Sequence, residues 1–218
     1  MEWPTLIVDN FFTDPHAVVK LSKTFKYKRD VENAWPGTRT LEKHKENNDF
    51  FLWSTKKIVA LLYPSQVGEE NTLTWVASQY FQRIPYEIHG DAGWIHNDSD
   101  SIFTVIIYLS NHSQSGTCLY EGTNFNTTPK HLKEKARFYK YLKNRKRMEK
   151  YRDKANSEFK KKIELFSNFN RLVLYDGAHW HASRNADNDK SERLTLITFF
   201  KQVEGKDIRY PITQMRRI

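Results

Sequence analysis

Residues 93–100 read GWIHNDSD and place His96 and Asp98 two positions apart. Side chains at i and i+2 of an extended segment point to one face, so this imidazole and carboxylate can converge on a single metal ion. The pair is weak by itself. Chance gives roughly 0.4 His-x-Asp matches in a chain with this His and Asp content, and His89-Gly90-Asp91 is a second match. Taken alone, His96 and Asp98 read as a polar turn in which Asp98 bonds its own loop.

A third ligand is available downstream. Residues 175–183 read YDGAHWHAS and offer His179 and His181, again two apart and expected on one strand face. Two imidazoles and one carboxylate leave open positions on the ion, the arrangement of non-haem Fe(II) oxygenases, where a cosubstrate and O2 bind the metal directly. Further on, RLTLITFF begins with Arg193 and carries Thr195 on the same face. A buried Arg on a core strand is costly unless it meets an anion, and its planar fork suits a carboxylate. The competing reading of Arg193 is a structural ion pair with an acid such as Glu121.

These side chains need strands to position them. TLIVD (5–9) reads as a short strand, and a helix follows, capped by Thr13 or Asp14 with Pro15 in its first turn. Residues 28–50 read as a long polar loop with a turn at Pro36-Gly37, and 54–63 as a second short helix ended by Pro64. From residue 72 the pattern becomes β-rich, with runs at 72–88, 103–110, 116–122, 171–177 and 193–203. At least five strands at such spacing predict a sandwich or barrel of mostly antiparallel sheets. Between the third and fourth runs, the steps from Met148 through Tyr151, Ala155 and Phe159 to Ile163 predict an amphipathic helix over 148–165, with another over 131–143.

Composition bounds the rest. The 218 residues carry 39% hydrophobic and 14% aromatic side chains, enough for one domain with a sizeable core. Cys118 is the single cysteine, which excludes internal disulfides and thiolate clusters and leaves His, Asp and Glu as metal ligands. A reducing cytoplasm is the expected location, with no membrane span and no leader read at MEWPTLIVDNFF. The net charge of +9 is concentrated in one segment, 130–164, which holds fifteen Lys/Arg against five acids. Such a segment is either a solvated helix face or a docking surface for an anionic partner, with Arg145-Lys146-Arg147 as the best contact.

Taken in order, HND (96–98), YLS (108–110), SGTCLYE (115–121), YDGAHWH (175–181) and RLT (193–195) resemble the Fe(II)/2-oxoglutarate-dependent dioxygenase superfamily, nearest to its prolyl-hydroxylase-like branch. The opening LIVDNFFTDPHAV is similar to the entry of that fold, and Ser115-Gly116 stands where the family has Gly-Gly. The resemblance implies a mostly β, double-stranded β-helix of jelly-roll or cupin type with flanking helices, one domain over 1–218 with 129–166 as a basic helical insertion. It implies Fe(II) on His96, Asp98 and His181, with His179 in reserve, since Ala182-Ser183 follow His181 as in the family. It places the distal carboxylate of 2-oxoglutarate on Arg193, aided by Tyr108 and Thr195, with Thr104 lining the same pocket. The implied reaction consumes O2 and 2-oxoglutarate, releases succinate and CO2, and hydroxylates an unactivated C–H. The substrate is left open between a protein side chain such as proline, a nucleobase and a small molecule. Two rivals stand beside it. One is a non-catalytic β-barrel module whose basic insertion binds nucleic acid or another anion. The other is a cupin-type metalloenzyme without 2-oxoglutarate. Trp94 and Trp180 are read as groove or core residues.

Overall fold

Alternation along β4 (Phe103–Tyr108) fixes the layers. Phe103, Val105 and Ile107 join a large apolar cluster with Phe12, Ile58, Val59 and Phe81, while Ile106 and Tyr108 join a second one with Leu119, Leu165 and Val173. All six residues are buried, so this strand has protein on both faces. The computed structural model describes residues 3–30, 35–67, 73–85, 93–98, 100–111, 115–122, 129–140, 145–184, 192–206 and 208–211. His89-Gly90-Asp91 lies outside the described residues, as do the side chains of Arg145-Lys146-Arg147.

β4 sits inside a six-stranded sheet with β1 (Leu6–Val8), β2 (Thr38–Arg39), β3 (Leu73–Ile84), β7 (Leu172–Asp176) and β9 (Arg193–Gly205). Its order is β1-β7-β4-β9-β3-β2, and every pairing is antiparallel. The outer face is covered by α1 (Pro15–Ser22) and α3 (Asn48–Leu62), the latter directly preceded by a short α2 (Lys43–Glu46). α1 starts where the sequence signals it: the Asp14 carboxylate accepts from Ala17 N–H at 2.9 Å and Pro15 occupies the first turn. Across the inner cluster lies a smaller sheet, β6 (Phe159–Phe166), β5 (Gly116–Gly122) and β8 (Trp180–Arg184), in the order β6-β5-β8. Two facing antiparallel sheets of these orders form the expected mostly β architecture with flanking helices. Among the described residues no helix is long and apolar enough to cross a membrane.

Three expectations are corrected. The polar stretch 28–50 is not a plain loop: it contains β2, α2 and the first turn of α3, which Asn47 caps by accepting from Phe50 N–H at 3.0 Å. Nor does a helix run from 148 to 165. After α4 (Pro129–Lys140), α5 (Arg145–Asn156) ends at a turn, and Phe159–Phe166 is a strand. The step-of-three-and-four pattern fits a helix equally well, but β5 offers its backbone edge to this segment from Gly116 opposite Phe166 to Gly122 opposite Phe159. Tertiary pairing overrides local periodicity here. The basic segment is therefore a helical pair, not an all-helical insertion, and it lies between two hydrogen-bonded neighbours of one sheet. Finally, β7 ends at Asp176 and β8 begins at Trp180, so His179 lies in a turn and His181 on a strand rather than both on one strand face.

Phe103 stacks on Phe200 at 4.4 Å between ring centroids and meets Trp3 at 4.5 Å. Phe103→Ala is expected to cost about 3–5 kcal/mol through lost burial and the cavity left behind, read as a lower midpoint in urea unfolding.

Candidate active site

The segment 93–96 runs along the free edge of β8. Gly93 N–H donates to Ser183 O at 3.0 Å, His96 N–H to His181 O at 2.9 Å, and His181 N–H to His96 O at 2.7 Å. Residues that exchange both backbone bonds are directly opposed and carry their side chains on one face. The two imidazoles accordingly lie with ring centroids 4.4 Å apart. Each ring is anchored alike, to the carbonyl two residues earlier: His96 Nδ1 to Trp94 O at 2.8 Å and His181 Nδ1 to His179 O at 3.0 Å. A carbonyl only accepts, so Nδ1 carries a proton in both rings, which leaves Nε2 as the ring atom that can ligate an ion.

Asp98 enters through a turn. Its N–H donates to Gly177 O at 2.9 Å, and its carbonyl accepts from Ser101 N–H at 2.8 Å. The turn presses so closely on Gly177 that a Cβ there would lie 1.9 Å from Ser101 O. The carboxylate reaches both rings, with Oδ2 at 3.5 Å from His181 Nε2 and Oδ1 at 3.9 Å from His96 Nε2. Thr104 Oγ1 donates to Oδ2 at 2.7 Å and fixes the rotation of the carboxylate. Ligand atoms of His96, Asp98 and His181 all lie within 4.8 Å of one another. This set suits a divalent ion of the iron type: two imidazole Nε2 atoms and an oriented carboxylate on one side, cavity on the other. Among the described residues His179 is outside this group, its N–H bonded to Asp176 O at 2.9 Å. Burial holds the His96 pKa well below its ordinary value, with Lys135 and His181 adding to the effect, so the ring stays neutral and able to ligate.

The parity that puts Ile106 and Tyr108 on the inner face also puts Thr104 there, and on β9 it places Arg193, Thr195, Ile197 and Phe199 opposite Leu194 and Leu196. A cavity of about 100 Å³ opens between the sheets, lined by His96, Asp98, His181, Thr104, Arg193 and Thr195. Arg193 is 4% exposed, its Nη2 donates to Gly116 O at 3.3 Å, and its guanidinium lies 5.3 Å from the Tyr108 ring. Tyr108 itself bonds Thr117 through its hydroxyl at 2.9 Å and is 1% exposed. Glu121, the alternative ion-pair partner, faces away and binds Lys162 at 2.7 Å.

Several lining residues carry no sequence signal. Arg39 comes from β2, in the stretch read as loop, and Lys135 from the basic helix α4. Burial lowers the Arg39 pKa to about 10 and that of Lys135 to about 8, while the Asp98 charge opposes the shift in both. The helical pair also braces the His96 segment. Trp94 N–H donates to Tyr139 Oη at 3.3 Å, Ile95 N–H to Asn156 Oδ1 at 3.0 Å, and Asn156 Nδ2 to Gly93 O at 3.0 Å. Trp94, fully buried, packs on Phe138, whereas Trp180 lies against Phe159.

Gly177→Ala is expected to displace the Asp98 turn and weaken divalent-metal affinity by about 10–100-fold, the cost typical of disturbing a ligand's support. Titration calorimetry with Mn(II) measures it, and circular dichroism should show the sheets retained.

Comparisons with known proteins give a family and a fold. Residues 2–200 match the family of unknown function DUF6445, and the chain belongs to that family. No curated protein matches it. Among solved structures, HygX from Streptomyces hygroscopicus with nickel and 2-oxoglutarate bound is similar at 13% identity and TM-score 0.55, over 95% of this chain and 84% of that one. The non-heme alpha ketoglutarate dependent epimerase SnoN from nogalamycin biosynthesis is similar at 8% identity and TM-score 0.55, over 93% and 80%. A prolyl hydroxylase from Trichoplax adhaerens, in complex with a hypoxia inducible factor peptide fragment, is similar at 14% identity and TM-score 0.51, over 90% and 82%. The fold is thus the double-stranded β-helix of the 2-oxoglutarate/Fe(II) oxygenase superfamily, as the motif order implies.

Proposed function

We propose that this member of DUF6445 is an Fe(II)- and 2-oxoglutarate-dependent dioxygenase that hydroxylates a substrate C–H. The observation that carries this reading is the paired His96 and His181, each with Nδ1 on a backbone carbonyl and Nε2 turned toward Asp98, beside a buried arginine. His96, Asp98 and His181 hold the iron. When bound, iron and 2-oxoglutarate supply O2 activation coupled to oxidative decarboxylation of the cosubstrate to succinate and CO2.

The chain's own groups orient and enclose. Arg193 receives the distal carboxylate of 2-oxoglutarate in its fork, and Thr195, two residues on, adds a hydroxyl. Tyr108 backs the guanidinium with its ring, its own hydroxyl engaged by Thr117. Thr104 serves the site through Asp98. Arg193, Thr195 and Thr104 are buried, and a low-dielectric surrounding strengthens each of these charge-assisted bonds. The chain reads as one domain, with the basic helical pair belonging to it through Tyr139 and Asn156. The lone, buried Cys118 fits residence in the reducing cytoplasm.

Purified protein with Fe(II), O2 and 2-oxoglutarate should release succinate, and His96→Ala, Asp98→Ala or His181→Ala should abolish it along with iron binding. His179→Ala should keep the metal. Arg193→Gln is expected to raise the KM for 2-oxoglutarate by about 10–100-fold, the worth of a charge-assisted pair. Wild-type protein that binds neither iron nor 2-oxoglutarate rules the reading out.

A further inference from the structure

Two cavities meet at His96 and Asp98, and the third candidate ligand, His181, lines the inner one. The inner one reaches Arg193 and Thr195, whereas the outer one, about 380 Å³, reaches Ser78, Tyr80, Asp100 and Lys201 and does not include Arg193. Arg39 and Lys135 line both, beside His96 and Asp98. Among the described residues neither cation makes an ion pair, and Arg39 Nη2 has only a long contact to Gln82 Oε1 at 3.5 Å. Arg39 Nε and Trp35 Nε1 are buried donors without an acceptor among the described residues. Both residues line the two cavities, and buried donors left unanswered in a cavity wall point to a site built around a ligand that brings an acceptor.

Arg39 is also rigidly placed. Its backbone exchanges bonds with Lys28 at 2.8 and 2.9 Å, and its strand pairs it with Gln82, whose amide is tied to Pro36 O at 2.7 Å. Its guanidinium lies 4.3 Å from the centroid of Trp35 and 5.4 Å from that of Phe199. Charge decides what fits. In the loaded site the iron and Arg193 are balanced by Asp98 and the dianionic cosubstrate, which leaves Arg39 and Lys135 with one further acid, Asp30, acting on Arg39. At the rim, Lys201 already faces Asp100 at 3.9 Å.

We propose that the primary substrate is a small organic acid whose carboxylate is held by Arg39 and Lys135 at the junction of the two cavities, over the Trp35 and Phe199 rings. This rests on the oxygenase reading above and adds the substrate class to it. One planar fork and one ammonium match a carboxylate, which has two oxygens, better than a phosphate, which asks for more donors. The position also orients the substrate: its anionic end is fixed beside the metal ligands, so the C–H presented for reaction lies a few bonds from the carboxylate.

Calorimetric titration of the protein loaded with Mn(II) and saturating 2-oxoglutarate tests this, with 3-phenylpropionate, its neutral amide and phenyl phosphate as probes. The acid should bind at least about tenfold tighter than the amide and tighter than the phosphate. Arg39→Met or Lys135→Met should remove most of that margin and leave the 2-oxoglutarate Kd within about twofold. Lys135→Met carries the test if Arg39→Met fails to fold. Equal affinity for acid and amide, preference for phenyl phosphate, or variants that weaken 2-oxoglutarate by the same factor as the acid would overturn the assignment. Repeating the titrations without metal and cosubstrate separates the two readings. An acid preference that survives in protein binding neither iron nor 2-oxoglutarate sinks the oxygenase and spares the carboxylate subsite.

Discussion

The site depends on one backbone pair, the two hydrogen bonds exchanged between His96 and His181. They join a segment outside the regular strands to the free edge of the smaller sheet and set two imidazoles side by side. Because each ring is then tied to the carbonyl two residues behind it, the same local geometry aims both Nε2 atoms at one point. Asp98 reaches that point only because its turn closes over Gly177 and Thr104 holds its carboxylate. Neither the rotamers of the three groups nor the ring tautomers are left to a bound ion to impose, so the candidate ligand set is preorganised.

The basic helices take on a different meaning in this setting. Their charge suggests an outward-facing surface, yet α4 sends Lys135 into the cavity while Tyr139 and Asn156 grip the segment carrying His96. Inserting two helices between hydrogen-bonded neighbours β5 and β6 places a wall over the mouth of the site at little cost to the sheet, which re-forms its pairing on either side. Arg39 approaches from the opposite wall on β2. Arg39 is partly enclosed by aromatic rings and burial lowers the pKa of both cations, which makes them strong anion receptors and costly to leave without a ligand.

Legibility in the sequence followed the range of the interactions. Strand parity on β4 and β9 is local, so the inward direction of Thr104, Tyr108, Arg193 and Thr195 could be read from alternation, and the motif order pointed to the right fold. The choice between His179 and His181 was not local: it depends on where β7 stops and β8 starts, and the turn at Gly177 decides that through its contact with Ser101. β6 was misread because its apolar steps fit a helix until β5 supplies an edge. Arg39 and Lys135 gave no signal, since a charged residue in a polar stretch looks solvated until distant elements fold over it. Thr104 lines one cavity with Arg193 and Thr195, but its bond to Asp98 spans a turn no spacing rule describes.

The most direct measurement is a crystal structure of the protein grown anaerobically with Mn(II) and 2-oxoglutarate. The account predicts one metal ion on His96 Nε2, His181 Nε2 and Asp98, with the far carboxylate of 2-oxoglutarate on Arg193. A metal ligated by His179, or a cosubstrate whose far carboxylate sits on Arg39, would contradict it.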